Sequence, residues 1–174
     1  MGRLAARLPP HDAGRLRRRA IDSPTLRRHH RQFRLGLWRY VTAGDIRTVL
    51  SAPLIYSMAA PFALLDAWVT IYQAICFRAW GIRPVRRRDY FAIDRHRLAY
   101  LNGLEKFNCL FCSYANGLIG YVREIAARTE QYWCPIRHRR RTRQPHRHYH
   151  HFLEYGDAAG YRGGLAALRA ALKK

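Results

Sequence analysis

The order of hydrophobic and polar positions divides the chain into a long apolar segment with strongly basic segments on both sides. Between Arg47 and Arg78 lie 30 residues that contain a single charged side chain, that of Asp66. A helix of about 20 apolar residues is enough to cross the hydrocarbon core of a bilayer. This segment is therefore predicted to enter a membrane as a helix, with kinks at Pro53 and Pro61.

Both ends of the apolar segment carry several arginines, whereas a single membrane crossing normally has its basic residues on one side. A segment that enters the membrane, bends near Pro61 and Asp66 and returns would keep both ends on the cytoplasmic face. We therefore favour a re-entrant or interfacial helical hairpin, in which Asp66 is the N-cap of the second helix. A single membrane-spanning helix is the first alternative, and a buried helix pair in a soluble core is the second.

After the apolar segment, the hydrophobic spacing changes to that of two amphipathic helices. The first is predicted over residues 95–107 with Asp94 as its N-cap, and the second over residues 116–131. A short connection at residues 108–113 would join them as a hairpin. Pro135 marks the end of the second helix.

These elements define the predicted fold class, which is mostly α: an apolar helical hairpin or single membrane helix, then a small helical hairpin domain, with disordered basic tails. The predicted organisation is a basic arm (1–34), a membrane-associated apolar segment (35–88), a Cys/His-containing helical hairpin domain (89–138) and a basic, His-rich tail (139–174). The spacing of leucines predicts a short amphipathic helix at the end of that tail.

Charge narrows the choice of partner. Lys and Arg outnumber Asp and Glu by 32 to 11, which gives a formal net charge of +21. Such an excess favours binding to a polyanion, because like charges repel one another across a compact fold. Anionic membrane lipid is the favoured partner, and nucleic acid is the weaker alternative because no nucleic-acid-binding motif is present. Glu124 and Arg128, four residues apart, are expected to pair on the surface of the second predicted helix.

The cysteines provide the main candidate chemistry. Two residues separate Cys109 from Cys112, and three separate Cys134 from His138. Three thiolates and one imidazole form a common structural zinc site, and both spacings are typical of zinc ligands. The sequence therefore predicts a metal site at Cys109, Cys112, Cys134 and His138, with zinc or iron as the cofactor.

The length of the second predicted helix limits how these ligands can meet. An unbroken helix over residues 116–131 would hold Cys112 and Cys134 too far apart to share one ion. The helix would have to break at Gly117 and Gly120, or two chains of a homo-oligomer would each contribute a half-site, or there would be two separate sites. In the arrangement with two sites, the hairpin would gather a second set of ligands, namely Asp94, His96, Cys134 and His138.

Three functions are consistent with these patterns. The first is a membrane-associated metal-binding protein in which the metal is structural. The second is a thiol redox or metal-dependent enzyme that uses Cys109 and Cys112. The third is an adaptor that binds lipid or nucleic acid through its charge. No recognisable pair of nucleophile and base indicates a hydrolase or a transferase, so the sequence leaves open whether the protein is an enzyme.

Several runs of residues within 89–138 are distinctive. They are residues 100–102, 105–112 (EKFNCLFC), 114–117 and 123–136 (REIAARTEQYWCPI), together with His138. With the apolar segment before them, these runs resemble an uncharacterised family of small bacterial membrane proteins for which no activity is known. The resemblance implies a location at the bacterial inner membrane, and the absence of a cleavable signal pattern predicts soluble parts that face the cytoplasm.

Overall fold

A computed structural model describes residues 23–173 of the protein, so residues 1–22 of the predicted basic arm lie outside the described part. The fold is mostly helical, as predicted. Its main helices are α1 (Pro24–Arg31), α2 (Leu37–Thr42), α3 (Ile46–Ser57), α4 (Ala59–Tyr72), α5 (Gly103–Trp133) and α6 (Ala158–Ala171). A π turn (Gln73–Phe77) and a final α-helical turn (Arg78–Trp80) extend α4, and short 3-10 turns lie at Arg87–Asp89, Arg95–Arg97 and Tyr149–His151. Within the described residues, β-type pairing is limited to one bridge between Ile136 and Leu153.

The chain forms two compact units. The first contains Ile93–Phe111 and the described residues up to Ala52, and the second contains Pro53–Ala92 and the chain from Cys112 onward. The main cluster of buried apolar side chains belongs to the second unit and consists of Val69, Phe77, Ile82, Val85, Leu118, Tyr121, Ile125 and Leu172.

The apolar segment forms a nearly continuous helix. Only Met58 separates α3 from α4, and the helical path then continues to Trp80. Pro61 is the third residue of α4, and a proline is tolerated there because N–H groups in the first turn have no partner within the helix. The predicted bend is therefore absent, and Asp66 lies inside α4 instead of at an N-cap.

This helix has the dimensions of a membrane segment. It runs over Ile46–Trp80 and has 35 residues. One stretch of 18 residues within it has a mean hydropathy of 1.6, and no residue of that stretch is buried. By length and composition it is long and apolar enough to cross a membrane. The prediction of one such apolar segment is thus confirmed at this coarse level.

α5 runs without interruption through residues 108–113, where the sequence predicts a connection. That stretch contains neither proline nor glycine, so nothing in it stops a helix. Gly117 and Gly120 do not break the helix either. A Cβ on Gly117 would lie 3.0 Å from the Phe91 ring and from the carbonyl oxygen of Tyr90, and a Cβ on Gly120 would lie 3.2 Å from the Tyr90 ring. The two glycines therefore let the segment that carries Tyr90 pack closely against α5.

The ends of α5 follow from local signals. Asn102 and Glu105 form a capping box: Asn102 Oδ1 accepts from the Glu105 N–H at 2.9 Å, and Glu105 Oε2 accepts from the Asn102 N–H at 2.8 Å. This box starts the helix at Gly103, whereas the predicted cap, Asp94, makes no capping hydrogen bond. As predicted, α5 ends just before Pro135.

The basic segments have more regular structure than predicted. The Ser23 side chain caps α1 and Pro24 occupies its first turn, so this Ser-Pro pair starts a helix where the sequence predicts disorder. In the His-rich tail, Phe152 is buried and the Arg137 N–H donates to the Leu153 carbonyl oxygen at 2.8 Å. The tail therefore packs within the second unit, and its predicted final helix is α6.

Candidate functional site

The helix from α4 to Trp80 has two different faces. One face is buried at Val69, Gln73 and Phe77. On another side, residues spaced three or four apart form an apolar face whose members are between 52% and 71% exposed: Leu64, Trp68, Ile71 and Ile75. Contiguous exposed apolar surface of this kind usually marks an interaction site. These four residues are called the exposed apolar face below.

The Gln73 side chain, on the buried face of the helix, forms hydrogen bonds with two other parts of the second unit. Its Oε1 accepts a hydrogen bond from the Val85 N–H at 2.7 Å, and its Nε2 donates to the Tyr121 hydroxyl at 2.8 Å. All three groups are buried, so each of these bonds replaces a lost contact with water. The helix is thereby fixed with one defined side toward the protein.

Asp66, the single charge of the apolar segment, pairs with Arg87. Two guanidinium N–H groups of Arg87 donate to the carboxylate, and the Tyr114 hydroxyl donates to Asp66 Oδ2 at 2.8 Å. The guanidinium carbon of Arg87 also lies 4.2 Å from the centroid of the Phe91 ring. The segment that carries Arg86, Arg87 and Arg88 therefore lies alongside the middle of α4.

Glu124 is a buried carboxylate on α5 and only 6% exposed. Its Oε1 accepts from Arg128 Nε at 2.9 Å and from Arg147, and His148 Nε2 lies 3.1 Å from the same oxygen. Burial raises the pKa of Glu124, but the hydrogen bonds from His148, Arg147 and Arg128 outweigh it and lower the pKa from 4.5 to about 2. The predicted pair with Arg128 is confirmed, but it is buried because the His-rich tail covers it.

A second pair of the same kind follows along α5. His146 Nε2 lies 3.0 Å from Glu130 Oε2. The tail thus contacts α5 through two histidine–glutamate pairs, and both histidines are largely buried. These contacts explain why the tail is not the solvated segment that its composition predicts.

A pocket of about 420 Å³ opens beside the arginines that Glu124 holds. Its lining consists of Arg83, Pro84, Val85, Arg86, Asp89, Tyr90, Arg128 and Arg147. Four of these eight residues are arginines and one is acidic. We call this the arginine pocket, and its charge makes it suited to an anion.

The predicted metal ligands are not gathered in the structure. Cys112 and Cys134 are exposed free thiols, and Cys109 is a half-buried one. Because α5 is unbroken, Cys112 and Cys134 are about 32 Å apart along the helix axis. His138 contacts Tyr149, with ring centroids 5.9 Å apart.

The second predicted set of ligands, Asp94, His96, Cys134 and His138, is divided between the two units. Asp94 and His96 belong to the first unit, whereas Cys134 and His138 belong to the second. Within residues 23–173, no group of three or more His, Cys, Asp or Glu side chains is placed to hold a metal ion. Binding of zinc or iron stays a prediction.

The residues that sequence reasoning missed are those whose partners lie far along the chain. His146 and His148 have no local signal beyond composition, since their partners are more than a dozen residues away. Tyr90 and Arg87 likewise acquire a role only through α5 and α4.

No family model, no curated protein and no solved structure matches this chain.

Proposed function

We propose that the protein attaches to an anionic membrane surface, with the exposed apolar face of its helix in the interface and its arginines against lipid headgroups. The observation that carries the proposal is the exposed apolar face itself, where Trp68 is 70% exposed and Leu64 71% exposed. Exposed apolar side chains beside basic residues suit a membrane interface, where the apolar groups enter the acyl boundary and the arginines meet headgroups. The protein would act there as a lipid-binding adaptor.

The position of Arg87 favours an interfacial helix over one that spans the bilayer. Asp66 lies 14 residues before Trp80, or about 21 Å along the helix. If Ile46–Trp80 crossed the bilayer, the Asp66–Arg87 pair and its neighbouring arginines would lie at membrane depth. Each arginine there would cost roughly 3 kcal/mol by insertion scales, whereas a helix in the interface leaves that side in water.

Charge supports the same arrangement. Arg86 and Arg88 are exposed beside the apolar helix, and the whole chain carries a formal net charge of +21. Each basic residue near an anionic leaflet contributes about 1 kcal/mol of attraction, and the cytoplasmic leaflet is the anionic one. We therefore propose that both ends of the helix face the cytoplasm at the bacterial inner membrane.

Vesicle flotation tests this proposal. The full chain, purified in mild detergent and mixed with vesicles before detergent removal, is expected to float with vesicles that contain phosphatidylglycerol and less with pure phosphatidylcholine. The double variant Leu64→Glu/Trp68→Glu is expected to lose roughly 1,000-fold in partitioning, since burial of each of the two large apolar side chains contributes about 2 kcal/mol.

The matched control is Tyr155→Glu, which makes the same charge change as the single variant Trp68→Glu, measured beside it, but at an exposed aromatic residue far from the helix in sequence. This variant should float like the parent protein. If the double variant floats as well as the control, the exposed apolar face does not enter the membrane. If instead the double variant dissociates an oligomer while lipid binding persists, a second copy of the chain covers that face.

A further inference from the structure

We propose that the arginine pocket is a binding site for a phosphate monoester, carried either by a lipid headgroup or by a small soluble molecule. The inference goes beyond membrane attachment, which requires only the exposed apolar face and diffuse charge. It rests on the charge, the fixed geometry and the size of the pocket.

The lining of the pocket carries more positive than negative charge. Arg83, Arg86, Arg128 and Arg147 line the pocket, and the lining contains one carboxylate, Asp89. Glu124 lies behind the lining and compensates one more charge through Arg128 and Arg147. Arginine does not lose its proton in proteins, so the pocket keeps an excess of positive charge at every physiological pH. A phosphate group, which carries its negative charge on several oxygens, suits such an excess.

Two of the pocket's arginines are held in place by other groups of the protein. Arg128 is 15% exposed at its side chain, and it donates both to Glu124 and to the backbone carbonyl oxygen of Arg83. Arg147 is held by the same carboxylate. These contacts orient two guanidinium groups before any ligand arrives, which lowers the entropy that binding would lose. A guanidinium group can donate two parallel hydrogen bonds to two oxygens of one phosphate.

The pocket lining also contains the hydrogen-bond donors of Arg86 and Tyr90. Among the described residues, the Arg86 guanidinium has no hydrogen-bond or ion-pair partner, so it is free to bind a ligand. Burial raises the pKa of Tyr90, and its hydroxyl therefore stays protonated at the pocket wall. A volume of about 420 Å³ lies within the roughly 300–1,000 Å³ typical of small-molecule sites and exceeds what a bare phosphate ion needs.

Calorimetric titration of the full chain in mild detergent with glycerol 3-phosphate tests the site. Arg86→Gln is the variant of choice, because Arg86 is exposed and no described residue depends on its side chain for a hydrogen bond. Arg88→Gln is the matched control, since it removes the same charge two residues away and outside the pocket lining, and its 3.9 Å ion pair with Asp89 is exposed to solvent and therefore weak. At constant ionic strength, Arg86→Gln should lose roughly tenfold in affinity, the value of one charge-assisted hydrogen bond. The control should lose less than about twofold.

The source of the phosphate is resolved by vesicles that carry phosphatidic acid or phosphatidylglycerol at equal surface charge. A preference for phosphatidic acid that Arg86→Gln abolishes identifies a lipid headgroup. Binding of glycerol 3-phosphate without such a preference identifies a soluble phosphate ester. Equal losses in Arg86→Gln and Arg88→Gln, or no binding of either probe by the parent protein, would overturn the proposal. The variant Leu64→Glu/Trp68→Glu should still bind glycerol 3-phosphate, which separates this site from membrane attachment.

Discussion

Replacement of the buried carboxylate of Glu124 is expected to destabilise the second unit in a pH-dependent way. Glu124→Gln keeps the shape of the side chain but removes the charge that Arg128, Arg147 and His148 share. Two guanidinium groups would then lose their common anionic partner beside a pocket that is already positive. The loss should be large for a single isosteric substitution.

The expected loss in free energy of unfolding follows from the lowered pKa of Glu124. A pKa that falls from 4.5 in the unfolded chain to about 2 in the folded protein corresponds to about 3 kcal/mol of stability. Because the folded pKa is the lower one, this contribution is fully present above pH 4.5 and is lost as the pH falls through 2. The parent protein and Glu124→Gln should therefore differ by about 3 kcal/mol at pH 7 and converge near pH 2.

Urea unfolding in mild detergent, followed by far-ultraviolet circular dichroism at several values of pH, measures this difference. Glu154→Gln is the control, because Glu154 pairs with Arg137 while its side chain is 69% exposed. Exposed pairs contribute about 0–1 kcal/mol. If the difference between Glu124→Gln and the parent stays constant from pH 7 to pH 2, or equals that of Glu154→Gln, the buried network does not hold the carboxylate as described.

Two further predictions concern α5 and the thiols. Gly117→Ala should destabilise the protein by about 1–2 kcal/mol, because its Cβ would meet a ring and a backbone carbonyl at 3.0 Å. Gly163→Ala in α6 is the control: its Cβ would meet nothing within 4 Å, so it should be neutral or stabilising in the same urea assay. Equal effects of the two substitutions would contradict the close approach at Gly117. Any zinc or iron that co-purifies without chelator should be lost in Cys112→Ser or in Cys134→Ser but not in both, because about 32 Å of helix separates the two thiols; loss in both variants would require ligands from a second chain.

The helical character of the chain could be predicted from the sequence because it depends on local pattern. The apolar segment, the stop before Pro135 and the final helix α6 all follow from hydrophobic spacing and from helix-ending residues. The predicted bend fails for a local reason too. Pro61 occurs in the first turn of a helix, where it is tolerated, and only the position of Met58 reveals where that turn begins.

Other parts of the fold depend on contacts that no local pattern encodes. A glycine such as Gly117 weakens an isolated helix. The reason for a glycine at this position is evident only in the folded protein, where the Phe91 ring lies against it. The histidines of the tail could be read as a metal-binding or solvated tract until Glu124 and Glu130 are placed beside them. The arginine pocket is likewise assembled from two arginines that follow the apolar helix, one on α5 and one in the tail.

The most direct test of the account is whether both ends of the chain lie on the same side of the membrane. The full chain, with one epitope tag at each end, can be produced in a bacterium and isolated in sealed inner-membrane vesicles whose cytoplasmic face is outward. An interfacial helix predicts that added trypsin removes both tags from intact vesicles. Survival of one tag until the vesicles are opened with detergent would show that the helix Ile46–Trp80 crosses the bilayer, and would contradict the proposed interfacial attachment.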